Sequence, residues 1–188
     1  MRNIIIVLIT IFIFSIVFVR PAIGQESAGD SARLDSIIIN RSTNSDKKTY
    51  NFAVVKLTIK SILEQKYNSA LADQSEAFTT ACKKYELNCF LLPAIAGLES
   101  TFGKFLMPGS YNPFGWGGGN IYFNSWEEGI DTVGRGLYEK YIKKLNTDTL
   151  EKIGSIYSES PTWTPRVASF INIFEKEYEK NLLYLPTE

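Results

Sequence analysis

The sequence predicts a mainly α-helical domain of about 135 residues, preceded by an apolar N-terminal segment and a polar linker. Two observations carry this. From about Tyr50 onward apolar residues recur at helical spacing, and the one long interruption, residues 107–124, is rich in glycine and proline. Apolar residues make up 45% of the chain and charged residues 21%, a globular balance that excludes general disorder.

The chain divides into 1–24, 25–50 and 51–188. "IIIVLITIFIFSIVFV" (4–19) follows Arg2, and "AIG" (22–24) has the small-x-small form of a cleavage site. Residues 1–24 therefore read as a secretory signal peptide or, because sixteen apolar residues approach the ~20 that span a bilayer, as a membrane anchor. Either places the remainder outside the cytoplasm, secreted or tethered to a membrane through residues 4–19. Residues 25–50 are rich in Ser, Asp and Asn and read as a linker.

The helices follow in order. "VVKLTIKSILEQKY" alternates at first like a strand, but Leu57, Ile59, Ile62, Leu63 and Tyr67 fit a helical stripe, which favours a helix over 55–66. A second helix follows in "SALADQSEAFTTACKKYEL", with Leu71, Phe78, Ala81, Cys82 and Tyr85 inward. A third starts near Cys89 behind Asn88 as cap, tolerates Pro93 near its first turn, and ends at Gly103. Loop 107–124 leaves room for a short strand at Ile121–Phe123. Ser125 and Glu128 have the spacing of a capping box, with Ile130, Val133, Leu137, Tyr141 and Leu145 as the apolar stripe behind them. A short helix in "TDTLEKIGSIYS" and a last one after Pro165 complete the domain. Cys82 and Cys89 are close in an exported chain, so a disulfide stapling the entry to the third helix is expected, with two buried thiols as the alternative.

Composition removes several function classes. The formal net charge is zero and no long basic run follows the first segment, so no nucleic-acid footprint is present. The chain has no His, which excludes His-based triads and the commonest metal ligand and leaves carboxylates as the acid–base groups. No phosphate-loop or dinucleotide pattern fits the glycines, and no cofactor or metal is expected.

The chemistry centres on "LLPAIAGLESTFGK" (91–104). Helical spacing puts Glu99 on one face with Leu92, Ile95 and Ala96, and Leu91, Leu98 and Phe102 lie beside it. Apolar surroundings penalise the charged form and so favour a proton donor; a solvated helix-end charge facing Lys104 is the alternative. Tyr111, Phe114, Trp116, Tyr122, Phe123 and Trp126 place six aromatics within sixteen residues, interleaved with glycines. Aromatic faces suit the C–H surfaces of sugars, and Trp116, between two glycines, is the first choice for stacking.

These residues resemble a known family. "AIAGLESTFGK", "YNPFGWGGG", "YFNSWEEGID" and "IGSIYSESPTWTPRV" look like the lysozyme-like domain of bacterial endo-β-N-acetylglucosaminidases, glycoside hydrolase family 73, over roughly residues 60–175. The "ES-x-F" core also resembles lytic transglycosylases. The resemblance implies a mainly α, lysozyme-like domain with an abbreviated β-lobe, and cleavage of β-1,4 bonds in peptidoglycan glycan strands by a monomer. It implies Glu99 as the acid that protonates the leaving oxygen, Tyr157 as a second catalytic group, and Ser100, Asn112, Phe114, Gly115, Trp116, Tyr122 and Trp163 as substrate-binding residues.

A second acid is the weak point. Glycosidases usually pair two carboxylates, yet no Asp or Glu occurs between Gly103 and Asn124. Glu127 and Glu128 are the nearest candidates. Without one in the cleft, assistance by the substrate's N-acetyl group or transglycosylase-type ring closure gains weight. A glycan-binding wall protein of the same fold, without turnover, is the alternative from another class.

Overall fold

The computed structural model describes residues 48–144, 146 and 149–184. The chain divides into two units, Met1–Lys47 and Lys48–Glu188, so the signal or anchor and nearly all of the linker lie outside the described residues. The described part is mainly helical, 66% helix with no strand. No helix among the described residues is long and apolar enough to cross a membrane.

Helix α1 (Phe52–Ser61) starts at Asn51, whose Oδ1 accepts from the amides of Ala53 and Val54 at 3.2 and 3.3 Å. It runs on into a π turn at Ile62–Lys66. Its inner face is Val54, Val55, Thr58, Ile59, Ile62 and Leu63. Leu57, expected inside, is 56% exposed, because the buried stripe is set by the valines one turn earlier. A 3₁₀ turn (Ala70–Gln74) leads into α2 (Ser75–Lys84), and Leu71, Phe78, Ala81, Cys82 and Tyr85 are buried as expected.

Cys82 and Cys89 are disulfide-bonded across a separation of seven residues. The loop is short, so the cross-link contributes about 2–3 kcal/mol. Asn88 accepts from the Phe90 amide at 2.9 Å, and α3 spans Leu91–Ser100, starting two residues later than the spacing suggests. Leu91 to Gly97 are all buried, so α3 is the central helix, packed most extensively on α6 (Trp163–Leu183).

The end of α3 differs from the expectation that Gly103 stops it. The chain turns left-handed at Thr101, Phe102 and Gly103 (φ 52°, 58° and 80°). Phe102 drives this turn: its ring is buried over Gly97 and packs on Tyr67, Phe170 and Phe174, with centroids 4.2, 5.4 and 6.3 Å away. Ser69 holds the Phe102 carbonyl through a 2.7 Å hydrogen bond.

Loop 101–125 contains no strand; Ile121–Phe123 has no partner strand, and the Phe123 amide donates only to the Ser110 carbonyl, at 2.8 Å. The segment is therefore a series of turns. Helix α4 (Trp126–Gly136) continues as a π turn at Leu137–Lys143, and α5 (Leu150–Tyr157) precedes α6, which begins at Trp163 rather than after Pro165. Ile130, Val133 and Leu137 are fully buried as expected, Tyr141 is half-buried, and Leu145 lies outside the described residues.

Candidate active site

Four separate stretches of chain close a ring around Glu99. The last turn of α3 presents its carboxylate in an exposed position, so the apolar stripe expected around it ends at Ala96. Carboxylate Oε1 accepts from the Trp163 indole Nε1–H at 2.8 Å. Trp163 is 3% exposed and stacks on Tyr157, with ring centroids 4.9 Å apart and planes inclined by 27°. The Tyr157 hydroxyl donates to the Phe114 carbonyl at 2.7 Å. The next residue, Gly115, returns the chain to Glu99: a Cβ there would lie 3.4 Å from Oε2. One oxygen of the carboxyl is thus held by an indole, and the other faces bare glycine backbone.

The remaining expected site residues divide into supports and surfaces. Ser100 is buried; its hydroxyl shares its proton between the carbonyls of Ala96 and Pro113 (3.0 and 2.8 Å) and accepts from the Gly103 amide at 2.8 Å. Asn112 is buried too. It donates to the carbonyls of Trp116 and Ile121 and accepts from the Trp116 amide, at 2.9, 3.0 and 3.0 Å. Phe114 is fully buried, 6.5 Å from Phe78. Ser100 and Asn112 are engaged within the fold, because a loop without regular structure must satisfy its own buried polar groups, and Phe114 is committed to the core. Trp163 is likewise a support for Glu99, with too little exposed surface to act as a platform.

Trp116 is half-buried, not the free-standing ring its sequence neighbours suggest. It lies against Gly136, where a Cβ would come within 2.6 Å of the indole, and 5.9 Å from Tyr157. Tyr122 is 57% exposed and available for contact.

Neither candidate second acid is brought to Glu99. Glu128 accepts from the Asn124 amide and side chain, both at 2.7 Å, while its own amide donates to Ser125 Oγ at 3.2 Å. The Glu127 carboxyl is held below its ordinary range by its own amide, by Ser125 and by Gln74. It borders a separate groove of about 410 Å³, lined also by Asp73, Glu76 and Asp131, which shares no residue with the Glu99 cleft. The helix N-terminus consumes both acids.

The cleft at Glu99 has a volume of about 150 Å³ and is lined by Leu98, Glu99, Ser158, Ser160, Trp163 and Arg166. The larger groove is lined by several acids but has no aromatic wall, so the smaller one is the candidate site. Ser158, Ser160 and Arg166 were not legible as site residues. Their only signal is position, on either side of Trp163. Burial, then the nearby Glu99 charge, then Tyr141 push the Tyr157 phenol well above its ordinary value, so it remains a neutral O–H donor. No group of three His, Cys, Asp or Glu side chains among the described residues is placed to hold a metal ion. No protein-family model matches the chain, and no curated protein matches it significantly.

Proposed function

We propose that this protein is a lysozyme-like glycosidase that cleaves β-1,4 bonds of peptidoglycan glycan strands, as an endo-β-N-acetylglucosaminidase, with Glu99 as general acid. The carrying observation is the carboxyl held by Trp163 at one oxygen and open beside Gly115 at the other. Oε2, the open oxygen, is the one placed to deliver the proton. As the bond between the anomeric carbon and the leaving oxygen breaks, that proton passes to the leaving oxygen and Glu99 becomes a carboxylate, stabilised by the indole N–H. The carboxylate then takes a proton from the attacking group, water in hydrolysis, as that group's oxygen bonds to the anomeric carbon. Glycine at 115 leaves room for the sugar oxygen, and Tyr122 and the exposed edge of Trp116 supply apolar surface for the flanking rings. Tyr157 acts by holding the Phe114 carbonyl, and with it Gly115, at the acid.

Among the described residues no second carboxylate lines the cleft. That favours either assistance by the substrate's N-acetyl carbonyl or attack by the sugar's own primary hydroxyl, the lytic transglycosylase outcome. The products separate them: a reducing end carrying added water, or an anhydro sugar. The reading also places the protein outside the cytoplasm, secreted or tethered through residues 4–19, acting as a monomer on the wall.

The test is fragment release from peptidoglycan by the full chain beside Glu99→Gln. Loss of a general acid should cost about a hundred- to ten-thousand-fold in rate. Wild-type release no greater than the variant's would leave a glycan-binding protein without turnover.

A further inference from the structure

We infer that residues 104–109 form a spur that inserts into a lipid surface and sets how the Glu99 cleft faces the membrane. This goes beyond the glycosidase reading and uses from it only the tether through residues 4–19. In "KFLMPG" (104–109) Phe105 is 74% exposed and Met107 53%, with Leu106 half-buried between them. None of the three belongs to the core.

The spur is held in place. The Phe105 amide donates to the Ser100 carbonyl at 2.9 Å, and the Ser110 amide closes a turn on the Met107 carbonyl at 3.0 Å. Pro108 and Gly109, the latter at φ 74°, are the central residues that a type II turn requires. Ser110 is buried, which fixes the far end. Apolar side chains fixed in water add nothing to the fold, and they mark a surface made for contact.

Charge and reach both favour lipid as the occupant. From Ser100 to Trp126 the sequence holds no Asp or Glu, and its one charged residue is Lys104. That lysine is exposed beside Phe105 and pairs with no described carboxylate. An acid-free apolar tip flanked by an ammonium suits the boundary between headgroups and acyl chains. A sugar would need hydrogen-bonding side chains, and between Phe105 and Gly109 there are none. Residues 20–47 separate the apolar run from the described body, and even a coil of that length spans only about 30 Å. A domain of this size has a radius of gyration of about 14 Å, so a tethered body stays within reach of the bilayer. The spur is bonded to Ser100, the residue after Glu99, so its insertion orients the cleft as well.

The test follows a fluorescent label on the full chain reconstituted in vesicles of phosphatidylglycerol and phosphatidylcholine. Cys82 and Cys89 are joined to each other, so a single added cysteine takes the label. It is placed by Met107→Cys or, as a control, by Leu183→Cys, an 84% exposed position at the far end of α6 from Trp163. A lipid-borne quencher should dim the label at 107 about threefold more than the label at 183. Phe105→Ser should remove most of that difference. Equal quenching at the two positions would mean that the tether alone brings the domain near the bilayer. A label at 107 shielded from aqueous iodide but untouched by the lipid quencher would mean that a second copy covers the spur. A chain that does not float with the vesicles would remove the tether. Each of these outcomes overturns the spur. Fragment release by wild type and Glu99→Gln is measured on the same preparations, so the glycosidase reading stands or falls separately.

Discussion

Trp163 donates its indole N–H to the Glu99 carboxylate at 2.8 Å, joining positions 64 residues apart. The indole is buried and stacked on Tyr157, so it cannot follow the carboxylate if that moves. Trp163→Phe keeps an aromatic ring against Tyr157 and removes the N–H together with part of the buried indole. A hydrogen bond to a charged group contributes about 1.5–3 kcal/mol, so kcat should fall about tenfold to a hundredfold with little change in KM. The indole proton resonance of Trp163 should also move in Glu99→Gln. An unchanged kcat in a folded variant would reduce Trp163 to packing.

Gly115 supplies a second prediction. Its φ of 61° strains any side chain, and a Cβ would reach within 3.4 Å of Glu99 Oε2. Gly115→Ala should cost about 1 kcal/mol of stability and lower kcat/KM at least tenfold, because the methyl occupies the approach of the leaving oxygen. Steady-state kinetics beside thermal unfolding separates the two effects. Activity that falls only as far as the folded fraction would remove Gly115 from the site.

The helical frame was legible because it rests on local rules, apolar spacing and a capping serine, whereas the apolar surroundings expected around Glu99 end at Ala96 and leave it exposed. The roles of Ser100, Asn112 and Trp163 were not legible. Polar residues in a glycine–aromatic loop look like ligand contacts, but here the loop's own amides and carbonyls take them up. A loop of this length without a strand must find such partners, and that accounting was the available signal. Gly129 and Gly136 on α4 carried another. They admit the Tyr111 carbonyl and the Trp116 indole, close approaches that a larger residue would block. The π turns after α1 and α4 left no mark that periodicity could reveal.

Buried phenols set the alkaline limit of the fold. Burial, ahead of the Glu99 charge and Tyr141, pushes Tyr157 well up; burial, ahead of the Glu175 charge, does the same to Tyr50. Below about pH 10 both phenols are neutral in the folded and unfolded chain, so their contribution is fully present. Above it the unfolded chain loses protons that the folded chain keeps, and stability falls as pH rises toward the folded values. Denaturant unfolding should therefore show stability declining above about pH 10, with tyrosinate absorbance from these two rings appearing only on unfolding. Phenols that ionise in the folded protein near their ordinary value would contradict the enclosure of Tyr157 between Trp163 and the Phe114 carbonyl.

Thr101 tests whether the left-handed turn behind Glu99 is strained. It is an exposed, β-branched residue at φ 52°, immediately after α3 and followed by two more positive-φ positions. Such a residue costs about 1–2 kcal/mol in that region, and glycine removes the cost while adding about 0.5–1 kcal/mol of chain entropy to the unfolded state. Thr101→Gly should therefore stabilise the fold by about 1 kcal/mol, a Tm rise of about 4 °C for a domain of this size. The buried Phe102 ring, rather than Thr101, determines the path of the chain, so the Trp163–Glu99 hydrogen bond and turnover should survive the change. A lower Tm would mean that the turn is relaxed as it stands. A higher Tm with lost activity would mean instead that the strain at Thr101 holds the carboxylate in place.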